Sequence, residues 1–425
     1  SLTRIAALVD LLGMPQRGYP VLHIAGTNGK TSVARMLDAL LTRIGLRMGR
    51  YTSPHLQRVT ERISLDGLPI DPERYVDAYQ DIAPYVAMVD AGSQVPMSKF
   101  EVLTGMAFAS FADAPVDAAV VEVGIGGSWD ATNVADGAVA AITPVAVDHV
   151  YYLGGDTAGI AAEKAGIIKP GSVAVIAAQS PEVTRVIAAR SVEVDATVAR
   201  EGLEFGVLHR DVAVGGQQLR LQGLGGVYDQ IFLPLHGEHQ ARNAVLALAA
   251  AEAFFGAGAS RSLDIDAVRD AFATVTAPGR LERVRTAPSV FLDGAHNPHG
   301  ARALATALRE EFDFRRLVVV VGVMRDKDVR GILTELEPVV DEVVVTASGS
   351  PRAMDVDELA AVTREVVGEK RLRVEPRLAD AIEVAMASAA EVDPGWDRIS
   401  GAGVVITGSV VTVGEARTLF GREPQ

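Results

Sequence analysis

The chain predicts an α/β protein of two domains: a mainly parallel, doubly wound sheet with an added small antiparallel β patch, then a second α/β domain. Three features predict it. Short β-rich runs alternate with helical patterns through the first part, a polar, glycine-interrupted stretch follows at 197–234, and the alternation resumes after "TAPGRLERV". At 425 residues and 44.7 kDa the chain can hold two separate cores.

Taken in order, Ile5, Leu8, Val9 and Leu12 have helical spacing, so the start reads as an amphipathic helix and not as the basic, then apolar, pattern of a signal peptide. The runs "VLHIAG", "AAVVEVG", "AVAAITP" and "SVAVIAA" read as strands, with helices at 31–44 and 101–111 among the stretches between them. A sheet of this kind presents ligands at the carboxyl ends of its strands. Residues 197–234, including "LRLQGLGGVYDQIFLPL", read as the antiparallel patch, and the Ala- and Leu-rich stretch 239–255 as a helix. In the second half "VFLD", "LVVVVGV", "EVVVTA", "LRVE" and "GVVITGS" are strands separated by helices. The polar connector at 283–288 sets the boundary, giving domains 1–284 and 285–425. No repeat of solenoid period interrupts this order.

Composition narrows the function. With 48% hydrophobic and 22% charged residues the chain has the balance of a soluble enzyme, and its apolar runs, such as 318–324, are too short to span a bilayer. The absence of cysteine excludes disulfides, thiolate catalysis and zinc–cysteine sites, and fits a cytoplasmic location. A net charge of −14 argues against a nucleic-acid binder, so an anionic substrate must be held by local cations and helix N-termini. Of six lysines, Lys30, Lys164, Lys169 and Lys327 fall in glycine-rich or acidic motifs.

The motifs sit where strands end. "LHIAGTNGKTS" at 22–32 joins a strand to a helix, where successive N–H groups and the helix dipole suit polyphosphate. It departs from the common G-x-x-x-x-G-K-[ST] loop, having Ile24 in place of the first glycine. Lys30 would meet β and γ oxygens, and Thr31 or Ser32 would reach Mg²⁺. "YTSPHLQRVTERI" points Ser53 toward the same edge; Arg58 and Arg62 either meet anionic groups or lie on an exposed amphipathic segment. "VVEVGIGGSWDATN" ends a buried strand with Glu122, a candidate metal ligand or a salt-bridged structural carboxylate. "TPVAVDHVYYLGGDTAGIAAEKAGIIKPG" supplies Asp148, His149, Glu163, Lys164 and Lys169; His149 follows a strand end and can converge with Glu122, whereas spacing leaves Lys164 open between solvent and site. "FLDGAHNPHGA" brings Asp293, His296 and Asn297 to a strand end of the second domain, as "VGVMRDKD" and "VVITGSVVTVGEA" bring Lys327, Asp328 and Ser409.

These motifs, with "GEHQARNA" and "PGRLE", occur in an order that resembles the folylpolyglutamate synthase and dihydrofolate synthase family of the Mur ligase superfamily, over nearly the whole chain. The resemblance implies an N-terminal P-loop ATPase-type domain of the Mur ligase central type and a C-terminal Rossmann-like glutamate-ligase domain. It implies an ATP-dependent amide ligase that adds L-glutamate to a folate, and also to dihydropteroate, through an acyl phosphate. Carried over by position, Asn28, Gly29, Lys30, Thr31 and Ser32 would cradle phosphates; Asn243 would meet the adenine end, Arg280 the phosphates and Asp293 the nucleotide. Ser53 and Glu122 would hold one Mg²⁺, and His149 with Glu122 a second. Lys164 matches the family's carbamylated lysine, or contacts the γ-phosphate unmodified. His296 and Ser409 would lie near the incoming glutamate. Lys30, Glu122, His149, Lys164 and His296 form the implied catalytic set. Where relatives usually read G-G-R-[LYF]-D-A-T-N, this chain has Ser128 and Trp129; Trp129 would line or stack on the pterin, with Asp130 on its amino edge, or else be structural. The competing readings are a ligase of a UDP-linked precursor and a P-loop switch. The expected partners are small molecules only, with a monomeric chain.

Overall fold

The computed structural model describes residues 2–148, 153–256, 262–391 and 401–425. They form two units, the first from residues 1–55, 59–234 and 239–276, the second from 56–58, 235–238 and 277–425. The main division falls at 276/277, ahead of the 284/285 expected. Its cause is local: the 279–281 turn is bound to the second unit, with Gly294 N donating to Gly279 O at 2.8 Å and Leu281 N to Asp293 Oδ2 at 2.8 Å.

In the first unit the continuous apolar runs become strands, those at the centre of the sheet covered on both faces as parallel sheets require. These are β1 (Val21–Ala25), β2 (Met48–Tyr51), β3 (Ile63–Leu65), β4 (Leu68–Pro69), β5 (Ala118–Glu122), β6 (Gly137–Ile142), β7 (Val173–Ile176) and β8 (Thr197–Arg200). They lie in the order β4-β3-β2-β5-β1-β6-β7-β8. β1 pairs in parallel with β5 and β6, while β3 and β4 close one edge antiparallel. The helix Lys30–Ile44 follows β1 directly, and every residue of β1, β2 and β5 is buried.

The antiparallel patch is smaller than the sequence suggests. Thr197–Arg200 pairs in parallel with β7 and is the last strand of the main sheet, because the βα alternation continues through the helix Pro181–Glu193. The patch consists of β9 (Gly206–Ala213), β10 (Gly216–Gln222) and β11 (Val227–Leu233). A buried carboxylate ties it to the helix Glu238–Phe254: Glu252, fully buried, accepts from Tyr228 Oη at 2.7 Å, Leu224 N at 2.5 Å and Gly225 N at 3.0 Å.

The second unit repeats the logic with β12 (Glu282–Thr286), β13 (Ser289–Leu292), β14 (Arg316–Val321), β15 (Glu342–Ala347), β16 (Leu372–Arg377) and β17 (Ala402–Thr407). The order is β12-β13-β17-β14-β15-β16, parallel except for β12. Valine-rich β14 and β17 sit at its centre, so the ends of β13, β14 and β17 bring three polar loops to one edge. Among the described residues no helix is long and apolar enough to cross a membrane.

Replacing Glu252 by Ala leaves three donors without their acceptor. We expect a loss of about 2–4 kcal/mol, measured as a lower urea midpoint at unchanged slope.

Candidate active site

The loop after β1 is shaped by two glycines that admit no side chain. Gly26, at φ 144°, would set a Cβ 1.8 Å from Thr143 Oγ1, and Gly29, at φ 92°, would set one 2.6 Å from Asn243 Oδ1. Gly29 caps the helix that starts at Lys30, so the loop ends in N–H groups aimed along a helix dipole. Lys30 folds back over the loop, its Nζ donating to Gly26 O at 3.1 Å and Thr27 O at 3.2 Å. Thr27 ties the loop to the exit of β6: its hydroxyl donates to Ala146 O at 2.8 Å and accepts from Ala146 N at 3.0 Å.

Glu122, buried at the end of β5, is the acidic centre of this edge. Thr31 Oγ1 lies 3.0 Å from each of its carboxylate oxygens, and Ser53 N donates to Oε2 at 3.3 Å. Of the two hydroxyls the sequence offered, Thr31 therefore faces the carboxylate, while Ser32 is buried in the helix. Thr31, Ser53 and Glu122 carry the hard oxygen donors that would suit Mg²⁺. Among the described residues no group of three His, Asp or Glu side chains stands ready to hold a metal, so phosphate oxygens and water would complete the coordination. His149 lies outside the described residues.

Lys164 reaches the same loop from the helix Thr157–Ala165. It is 5% exposed, and its Nζ donates to Gly26 O at 2.8 Å, the carbonyl that Lys30 also uses. Burial, then the nearby Lys30 charge, lowers its amine to about 7. The loop after β5 is bolted to this helix. Ser128 N and Oγ both donate to Glu163 O, at 2.9 and 3.2 Å, and Asn133 Nδ2 donates to Ser128 O and Gly166 O. A Cβ on Gly127 would strike Glu163 O at 2.2 Å, so loop and helix backbones touch. Ser128 thus fills a structural role beside Lys164.

The Asp130 carboxylate is held by its own loop. It is 3% exposed, and its Oδ2 accepts from Gly124 N and Ile125 N while Oδ1 accepts from Thr132 N and Oγ1. The Thr132 hydroxyl in turn lies 2.9 Å from His23 Nε2, inside β1. Because Thr132 donates to Asp130, His23 donates from Nε2. Trp129 is 37% exposed, its indole resting against Gly126. Asn243, which the resemblance gives to the adenine end, lies against Gly29, its Nδ2 donating to Gln240 Oε1 at 3.1 Å.

In the second unit Asp293 and Ser409 hold backbone. Asp293 accepts from Leu281 N and Ala295 N, its carboxyl pushed above the usual range by burial, and Ser409 Oγ caps the helix Val410–Leu419 at Thr412 N. Asp328 likewise caps Val329–Leu336. Asp293 thereby fixes the turn carrying Arg280, whose Nη1 lies 3.3 Å from Gly279 O. His296 Nδ1 donates to Gly294 O at 2.8 Å, which fixes the orientation of the ring.

Residues 90–251 match the Mur ligase middle domain and residues 279–410 the Mur ligase glutamate ligase domain. A Mycobacterium tuberculosis protein named dihydrofolate synthase/folylpolyglutamate synthase is 63% identical, over 100% of this chain and 91% of its own length. The chain belongs to the folylpolyglutamate synthase/dihydrofolate synthase family. Within this family its fold matches the Mycobacterium tuberculosis folylpolyglutamate synthase complexed with ADP and AMPPCP, at TM-score 0.96 and 63% identity, covering 100% of this chain and 96% of that one. An Escherichia coli FolC in complex with DHPP and ADP matches at TM-score 0.84 and 29% identity, covering 98% and 92%.

The buried His23 gives the site a measurable acid limb. Burial, then the Lys169 charge, holds its ring at about 3 against an ordinary 6.5. As pH falls the unfolded chain takes up this proton first, so stability present above pH 6.5 is lost between pH 6.5 and 3. That loss is at most about 1.4 kcal/mol per pH unit. His23→Gln is expected to flatten this limb, read as the difference in urea midpoint between the two proteins from about pH 7 to pH 4.

Proposed function

We propose that this chain is an ATP-dependent amide ligase that joins L-glutamate to a folate carboxylate through an acyl phosphate, and that it also makes dihydrofolate from dihydropteroate. One observation carries the reading: Lys30, Thr31, Ser53, Glu122 and Lys164 converge on one phosphate loop in a chain 63% identical to a protein named for both activities.

The γ-phosphate of ATP would lie against the N–H groups of residues 28–32, with Asn243 supporting the loop beneath Gly29. The acceptor carboxylate attacks the γ-phosphorus, the bond to the β–γ bridging oxygen breaks, and ADP leaves. Lys30 meets the charge that moves onto that oxygen. Mg²⁺ would be held by Thr31, Ser53 and Glu122, with a second ion at Glu122, His149 and, once carbamylated, Lys164, and would neutralise phosphate oxygens. The amino nitrogen of glutamate then attacks the acyl carbon, and the tetrahedral adduct expels phosphate. His296 would accept the proton that the nitrogen loses. Arg280 meets phosphate oxygens, and Trp129 lines the acceptor's ring system.

Lys164 fits carbamylation. An amine lowered to about 7 is substantially neutral near that pH, and its lone pair can attack CO₂: an N–C bond forms, a proton leaves nitrogen, and a carbamate anion results. Beside Lys30 this exchanges a repulsion between two cations for an attraction. With ¹³C-bicarbonate the protein is expected to show a carbamate carbon resonance that Lys164→Met lacks, with ligase turnover falling at least about a hundredfold. An unmodified Lys164 in the active protein would instead point to direct contact with the γ-phosphate.

The primary test is ADP release with Mg²⁺, ATP and L-glutamate, comparing dihydropteroate, a reduced folate monoglutamate and no acceptor. Release with either pterin and none without is the expected result, abolished by chelation of the metal. Acceptor-independent release would overturn the ligase reading in favour of a switch.

A further inference from the structure

Arg62 is a half-buried cation whose position the mechanism above does not use. It lies where the chain returns from the loop carrying Ser53: Tyr51 and Ile63 are register partners of β2 and β3, and Thr52 N donates to Arg62 O at 3.0 Å. Its Nε donates to His55 Nδ1 at 3.0 Å, which fixes the plane of the guanidinium, and the Tyr51 hydroxyl is its other close polar neighbour. Among the described residues no carboxylate forms an ion pair with it. By contrast, buried Arg50 is paired with Asp38 at 2.6 Å and half-buried Arg4 with Glu101 at 2.9 Å. In a chain of net charge −14, an anchored guanidinium without such a partner marks a place for an external anion.

The surroundings say which anion. Beneath Arg62, buried Tyr51 accepts from Thr104 Oγ1 at 3.2 Å, and its ring packs on Phe100 with centroids 5.9 Å apart. Phe100 presses on the loop after β5 so closely that a Cβ on Gly124 would lie 2.5 Å from its Cζ. That loop carries Trp129, and Lys99, exposed beside Phe100, likewise forms no ion pair among the described residues. The cation therefore stands between the Ser53–Glu122 end, where a carboxylate would be phosphorylated, and an aromatic wall that would take a ring system.

We propose that Arg62, oriented by His55, receives the second carboxylate of the acceptor: the α-carboxylate that the terminal glutamate of a folate carries and dihydropteroate lacks. The proposal rests on the acceptor reading given above. It makes Arg62 a specificity-determining residue that separates the two acceptors by one charge-assisted, bidentate contact.

The test compares the unaltered protein, Arg62→Gln and Arg62→Lys on three acceptors: a reduced folate monoglutamate, its α-carboxamide analogue and dihydropteroate. In Arg62→Gln the ratio of kcat/KM for folate to that for dihydropteroate is expected to fall about tenfold to a hundredfold, chiefly through KM for folate. The same variant should lose the unaltered protein's preference for folate over its α-carboxamide. Arg62→Lys, which keeps the charge but not the fork, should fall between, and decides the matter if Arg62→Gln does not fold. Equal losses on folate and dihydropteroate, or equal use of folate and its amide by the unaltered protein, would overturn the proposal. If the unaltered protein leaves dihydropteroate unused, the folate and amide pair decides alone. Failure of the unaltered protein on every acceptor would instead sink the ligase reading, and this proposal with it.

Discussion

Two ammonium groups meet at one backbone carbonyl. Lys30 comes from the helix that follows β1 and Lys164 from a helix far along the chain, and both donate to Gly26 O. Such a pair repels in a buried setting, and burial first, with that repulsion second, depresses the Lys164 amine. The arrangement is stable only because the fold holds both helices from outside, and it is relieved by negative charge arriving at the loop. Much of the first unit can be read as the means of enforcing this approach.

The means are mostly hydrogen bonds to backbone. The loop after β5 is held from within by Asp130 and Thr132, from β1 by His23, and against the Lys164 helix by Ser128 and Asn133. Each of these side chains has named partners, and all but Ser128 are buried, so the loop enters binding already ordered and loses little conformational entropy there. The second unit uses the same device, with Asp293 holding the backbone beside Arg280 and His296 and Ser409 capping the helix Val410–Leu419.

The sheets were legible because strands covered on both faces read as unbroken apolar runs, as in β5 and β14. The phosphate loop was legible because a strand, glycines, a lysine and hydroxyls stand in a fixed order. β8 was harder to assign, being four residues of which two are exposed, and it merged with the polar patch beyond it. Asp130, Asp293 and Ser409 carry the harder lesson. An acid or hydroxyl at a strand end satisfies the same pattern whether it binds a ligand or caps backbone N–H groups, and only its partners tell the two apart. Lys164 was opaque for a related reason, since helical spacing cannot reveal that its side chain crosses to a carbonyl 138 residues earlier.

Neither unit is one continuous length of chain. The polypeptide passes from one to the other at 55/56, 58/59, 234/235, 238/239 and 276/277. The short excursions are firmly seated: a Cβ on Gly414 would strike Leu56 O at 1.9 Å, Gln57 accepts from buried Arg417, and His236 meets Glu311 at 2.9 Å. No single scission therefore yields two intact halves. A proteolytic cut at 276 would leave residues 56–58 and 235–238 attached to the wrong fragment, and recombination of the fragments would have to re-thread both segments before the second unit regained its packing.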